Sequence, residues 1–148
     1  MNVDIGGGSA AMPNTDVILD KHKYNDKVVV CNVGFDPLPF KDETVDKFTA
    51  KDLLEHIPRV DPVIYLFNEI WRCLKPGGTF ESITPVYPNE QVFQDPTHVS
   101  VWTMGSMNYF CKGYNDELKP AYGIKCKFEM LKNEKSVYHL HSILKKPE

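Results

Sequence analysis

Residues 53–78 open on Leu53-Leu54-Glu55-His56-Ile57 and close on Leu74-Lys75-Pro76-Gly77-Gly78. Between these blocks, Val60, Val63, Ile64, Phe67, Ile70, Trp71 and Leu74 are separated by 3, 1, 3, 3, 1 and 3 positions. That spacing places them on one stripe of a helix with about 3.6 residues per turn. Asp61 stands where a capping residue belongs, with Pro62 at the first helical position. Lys75 puts a cation in the last turn, and Pro76, Gly77 and Gly78 stop the helix.

On both sides of this helix the pattern changes to short apolar runs. Asn2–Ile5, Asp16–Asp20 and Lys27–Cys31 read as strands, and Val45–Ala50 as a weaker fourth. Val, Ile and Leu without polar alternation suit parallel strands covered on both faces. Leu38-Pro39-Phe40 is excluded from a central strand because proline lacks the ladder donor. Thr79–Thr84 reads as a fifth strand. Residues 86–123 are rich in aromatics, Asn and Pro without a period, which marks a long functional loop. Cys126–Leu131 and Ser136–Leu144 flank Lys132-Asn133-Glu134-Lys135, predicting a hairpin with its turn at the polar residues. The fold class predicted is α/β: a single domain over 1–148, its sheet mostly parallel with an antiparallel C-terminal hairpin.

Composition narrows the function. The chain holds 17 Lys plus Arg against 20 Asp plus Glu, a net charge of −3. It lacks the broad positive field of a non-specific nucleic-acid binder, so no nucleic-acid partner is expected. With 42% hydrophobic and 25% charged residues it is neither disordered, collagen-like nor a coiled coil. No uncharged apolar run approaches the roughly 18 residues of a membrane span. Met1–Ala11 has no apolar core of a signal peptide. A cytoplasmic protein with no membrane partner is the expectation. Cys31, Cys73, Cys111 and Cys126 form no C-x-x-C pair and read as reduced, buried thiols. His139 and His141 share a strand face, but no third metal ligand accompanies them and a solvated edge strand is expected. No metal site is predicted.

Asp4-Ile5-Gly6-Gly7-Gly8-Ser9 is a strand ending in glycines. A plain turn is one reading. The other is a backbone opened toward an anionic ligand. Asp20 ends the second strand, where a carboxylate accepts from both hydroxyls of a ribose. It follows Gly6 by 14 positions, shorter than the spacing of about 20 in dinucleotide folds.

Taken together, Asp4-Ile5-Gly6-Gly7-Gly8, Leu38-Pro39-Phe40 with its acidic turn, Leu53-Leu54-Glu55-His56 and Leu74-Lys75-Pro76-Gly77-Gly78 resemble the class I S-adenosylmethionine-dependent methyltransferases over roughly residues 2–110. A nicotinamide dehydrogenase shares the glycine turn but gives no reason for the other blocks. The resemblance implies S-adenosyl-L-methionine as cofactor. Asp4, Gly6 and Gly8 would cradle its methionine part and Asp20 its ribose. Asn32 and Val33, ending the third strand, would meet adenine, with Asn32 standing where the family usually has Asp. Thr49 and Ala50, ending the fourth, would line the methyl donor.

Acceptor recognition falls to the segment after the fifth strand, where similar members also carry Asp95-Pro96-Thr97-His98. Asp95 and His98 are the catalytic candidates, to orient or deprotonate an acceptor hydroxyl or amine. The alternative is that Asp95 caps a turn and His98 packs against it. His56 is expected to have a hydrogen-bonded structural role. The stretch Ser9–Asp16 is too short for the family's usual helix, and the helices that normally precede the first strand are not in the sequence. Two functions follow: methyl transfer to a small-molecule or exposed side-chain acceptor, or a non-catalytic subunit that keeps the fold. An unroofed pocket makes a homodimer reasonable.

Overall fold

The computed structural model describes residues 1–148 and contains one seven-stranded sheet. The strands are β1 (Asn2–Ile5), β2 (Val17–Asp20), β3 (Val28–Val30), β4 (Val45–Lys51), β5 (Leu74–Pro85), β6 (Glu129–Lys135) and β7 (His139–Lys145). They lie in the order β3-β2-β1-β4-β5-β7-β6. β1 to β5 pair in parallel, and β7 runs antiparallel to both β5 and β6.

The C-terminal hairpin forms, with two corrections. Its turn lies at Ser136-Val137-Tyr138, where the Ser136 amide donates to the His139 carbonyl at 2.8 Å. Lys132–Lys135 belongs to β6 and pairs with β7. Those residues are polar because β6 is the sheet edge, and edge strands carry charge without turning. Correspondingly β7, with His139 and His141, is an inner strand between β5 and β6.

The helix also departs from its predicted outline. The chain makes a wide π-type turn at Arg59–Val63 and becomes α-helical over Ile64–Cys73, α1. The wide turn shifts the phase of the stripe. Val60 is 73% exposed, Asp61 makes no capping bond, and Val63, Leu66, Phe67, Ile70 and Cys73 are buried. After α1, Leu74 pairs at once with Val45. Lys75–Gly78 then bulge out before Thr79 meets Lys47. The cation at the helix end is Lys146: its Nζ donates to the carbonyls of Trp71 at 3.1 Å and Leu74 at 2.9 Å. Lys75 instead pairs with Asp46.

One face of the sheet presents Val3, Phe48, Phe80 and Leu144, all buried beneath α1 and the loop after β5. Phe67 of α1 is at the centre. Its ring stacks on Phe110 with centroids 3.7 Å apart and meets Phe80 edge-on at 5.4 Å. Leu38-Pro39-Phe40 is pinned to the same helix. Glu69 and Arg72 form a two-bond ion pair, Glu69 accepts from the Leu38 amide, and Arg72 donates to the carbonyls of Leu38 and Phe40. On the opposite face Lys47, Glu81 and His141 form a bonded polar row that no helix crosses. No helix is long and apolar enough to cross a membrane.

Phe67→Ala removes the ring that three aromatic partners touch. It is expected to cost about 3–5 kcal/mol of folding stability, read from urea denaturation.

Candidate functional site

The β1–β2 connection holds no helix. Residues 6–16 fold back over the sheet and are fastened by Asp4, which is 1% exposed. Asp4 Oδ1 accepts from Thr49 Oγ1 at 2.5 Å, and Oδ2 from the Met12 amide at 3.0 Å. One carboxylate thus joins β1, β4 and the glycine loop. Burial raises its pKa, and the bonds from Thr49 and Met12 pull the other way. Gly7 is required by this contact, since a Cβ there would lie 2.0 Å from Asp4 Oδ2.

A cleft of about 590 Å³ opens across the carboxyl ends of β1 to β4. Ligands of open parallel sheets bind at such strand ends. Gly6, Asp20, Asn32 and Val33 line it together. Gly6 holds φ +72°, and a Cβ there would strike Leu53 Cδ1 at 2.6 Å. Asp20 Oδ1 accepts from the His22 amide at 2.9 Å, leaving Oδ2 for a ligand. Gly8, at φ +51°, lies beside Asp20 and faces a neighbouring hollow. Thr49 and Ala50 are buried within β4, which continues to Lys51. The residues that β4 delivers to the cleft are Asp52 and Leu53. Asp52 adopts φ +50°, a turn that Asp tolerates better than most residues and that spacing does not announce. Tyr24 and Phe35 on the same wall also escaped the sequence reading.

Thr97 and Val99 close one end of the cleft, while the predicted catalytic residues Asp95 and His98 lie behind them, outside its lining. Asp95 Oδ1 accepts from Thr97 N at 2.8 Å and Thr97 Oγ1 at 2.6 Å, which holds its carboxyl below the usual range. Its Oδ2 is 3.8 Å from His98 Nε2, near but not bonded. His98 Nδ1 faces the Val92 carbonyl at 3.1 Å, so Nδ1 carries the proton and Nε2 is free. His56, in the short helical turn Leu54–His56, places Nδ1 against the Thr97 carbonyl and hydroxyl. Its hydrogen-bonded role is as expected. Glu55, which the sequence reading did not single out, is 2% exposed and accepts from Thr84 Oγ1 at 2.8 Å. Burial pushes its carboxyl up. The same effect takes the Cys31, Cys73 and Cys111 thiols to about 11 and Cys126 to about 12, leaving no reactive thiolate. His139 and His141 each face a carboxylate, Asp52 and Glu81.

Strand order 3-2-1-4-5-7-6 with a cleft over the first four strand tips defines the class I S-adenosylmethionine-dependent methyltransferase fold. The chain belongs to the methyltransferase domain family, whose profile matches residues 3–81, and S-adenosylmethionine is its cofactor. A curated relative, sterol 24-C-methyltransferase of Pneumocystis carinii, is 28% identical over 108 residues, covering 68% of this chain and 28% of that protein. Squalene methyltransferase 1 of Botryococcus braunii is 37% identical over 75 residues, covering 51% and 18%. The chain therefore spans less than a third of the length of these relatives.

Among solved structures, a SAM-dependent methyltransferase from Archaeoglobus fulgidus superposes with TM-score 0.65 at 13% identity, covering 98% of this chain and 85% of that one. The Haloferax volcanii complex between the Trm112 methyltransferase activator and a methyltransferase gives 0.65 at 17%, covering 99% and 82%. Human N-acetylserotonin methyltransferase bound to SAM gives 0.60 at 14%, covering 99% and 47%. At these identities the likeness is one of fold.

The Asp4 clamp generates a pH prediction. Well below the ordinary carboxylate pKa of about 4, Asp4 is neutral in the folded and unfolded chain. As pH rises the unfolded chain loses its proton first, so stability falls until the raised folded pKa is passed. Thr49→Val removes a bond to the ionised form and makes that fall larger. A loss of about 1–3 kcal/mol is expected at neutral pH, shrinking toward pH about 3, in urea titrations at both values. Equal losses would show that the clamp does not titrate.

Proposed function

We propose that the chain carries out methyl transfer from S-adenosylmethionine to a small-molecule acceptor or an exposed side chain. The observation that carries this reading is the convergence of Gly6, Asp20 and Asn32 on one cleft at the strand tips. Asp20 Oδ2 accepts from the ribose hydroxyls. Asn32 and Val33 meet adenine, the Asn32 side chain offering both an acceptor and a donor. Gly6 and Gly8 let the backbone approach the methionine part. Asp4, Thr49 and Ala50 act from behind the wall, fixing where the glycine loop and the end of β4 stand.

The sulfonium is already a good leaving group. The protein's work is to hold the acceptor in line, about 3–3.5 Å from the methyl carbon, and to exclude water. His98, with Nε2 free, is the group that takes or orients the acceptor proton, and Asp95 fixes the loop that presents it. Phe35 and Val99 are each 56% exposed at the cleft and favour an acceptor with an apolar body. The names of the sterol and squalene methyltransferase relatives agree with such an acceptor.

A second reading is a non-catalytic subunit that binds the cofactor or a partner without turnover. The helix-free β1–β2 connection and the uncovered polar row favour it, and the Haloferax volcanii complex is an instance of this fold beside a protein partner. Turnover of any acceptor rejects it.

Calorimetric titration with S-adenosylhomocysteine tests the first reading. Binding is expected, and Asp20→Ala should weaken it about tenfold or more, the loss of one to two hydrogen bonds to a charged acceptor. His98→Ala should bind the ligand as the parent does and lose about 10²–10⁴-fold in turnover. Absence of any binding heat at millimolar ligand would sink the cofactor assignment.

A further inference from the structure

Glu55, His56 and His98 meet beside the cofactor cleft. Glu55 Oε1 lies 3.9 Å from His56 Nε2 and 4.0 Å from His98 Nε2. One ligand atom from each of the three residues falls within 4.8 Å of the others. The two imidazoles meet edge-on with centroids 4.8 Å apart. Glu55 and His56 are neighbours in sequence and His98 stands 42 positions beyond His56, so the fold brings the third side chain to the pair.

The surroundings of each donor are those of a ligand. Both histidines turn Nδ1 toward a backbone carbonyl, of Thr97 for His56 and of Val92 for His98. That bond fixes the tautomer and leaves each Nε2 with a lone pair directed inward, the usual second-sphere support of a metal-binding histidine. Glu55 is fixed in the same way. Thr84 Oγ1 donates to its Oε2, and Oε1 remains to face the two nitrogens.

We infer that Glu55, His56 and His98 form a binding site for one divalent transition-metal ion, of the zinc, cobalt or iron class. Two imidazoles and one carboxylate are a donor set for these ions and not for calcium or magnesium, which take oxygen. Tetrahedral bonds of about 2.0–2.2 Å require donor separations near 3.4 Å, so Glu55 closes on each histidine by about half an ångström and the two histidines on each other by up to about 1.4 Å on binding. Three protein ligands leave a coordination position open. His56 and Thr97 line the cofactor cleft, so that position adjoins the space in which the acceptor reacts. Asp95, with Oδ2 at 3.8 Å from His98 Nε2, is the nearest further carboxylate.

Binding of the ion stands on the three side chains alone. Its consequence rests on the methyl-transfer reading: an acceptor oxygen in the open position would lose its proton to solvent more readily, and the ion would take over the work given to a free His98.

The test is optical titration of the chelator-treated full chain with cobalt(II), whose ligand-field bands report nitrogen and oxygen coordination. One equivalent is expected to bind at submillimolar cobalt with tetrahedral or five-coordinate bands. His56→Gln, at a half-exposed position that tolerates change, and His98→Gln should each weaken binding at least about tenfold. Zinc should displace the cobalt. No bands at submillimolar cobalt, or equal affinity in both variants, would overturn the site. S-adenosylhomocysteine binding by the same preparation is read separately, so failure of the metal site leaves the cofactor reading intact and the converse holds.

Discussion

The carboxylate of Asp4 is the constraint on which the cleft depends. It sits in the first strand, nearly free of solvent, and its two oxygens bind the fourth strand through Thr49 and the returning loop through the Met12 amide. Burying an acid with fewer donors would be expensive. Here both oxygens are answered, and the side chain sets the depth at which residues 6–16 lie over the sheet. Gly7 has no side chain because the carboxylate already fills that space. Gly6 and Asp20 reach the cleft in register because Val3, Asp4 and Ile5 pair with Val17, Ile18 and Leu19 across the same loop.

The rest of the wall is held from the other side of the sheet. Glu69 and Arg72 on α1 bind each other and then the backbone of Leu38 and Phe40, so one ion pair anchors the return from β3 to β4. Arg72 also holds the Glu69 carboxyl below its ordinary range. Phe67 of the same helix binds the loop after β5 through Phe110. That loop carries Thr97 and His98 back to His56, across the open end of the cleft. Two faces of one helix thus place two loops that share no strand pairing with each other.

Much of this was legible because it is written in apolar period and in punctuation. The first five strands, α1, the glycine turn and the helix-free return over Ser9–Asp16 follow from runs and spacing. What escaped depended on contacts that sequence order hides. The polar Lys132–Lys135 belongs to a strand because β6 is the sheet edge, where solvated side chains are tolerated. Val60 leaves the helix stripe because a wide turn adds a residue before α1. In the site, Gly6 and Asp20 could be named from strand ends, and Asn32 and Val33 only from the family resemblance. Thr49 and Ala50 were placed one step too early, since β4 runs on to Lys51 and its last turn, at Asp52, is a backbone choice with no spacing signal. Glu55 stands within the Leu53-Leu54-Glu55-His56 block with no local signal that it is buried. Its burial becomes visible only when Thr84 and His98 arrive from segments far along the chain.

The position of β7 has a consequence for how the molecule is made. The strand that leaves the ribosome sixth has no place on the sheet until the seventh exists, because the seventh lies between it and β5. During synthesis the free edge of β5 stays open while more than forty residues emerge, and Leu140 and Leu144 close it from the far side. Such waiting, non-local pairing is slow and leaves an edge able to recruit another nascent chain. In its order of assembly the sheet is sealed by insertion rather than by growth at its rim.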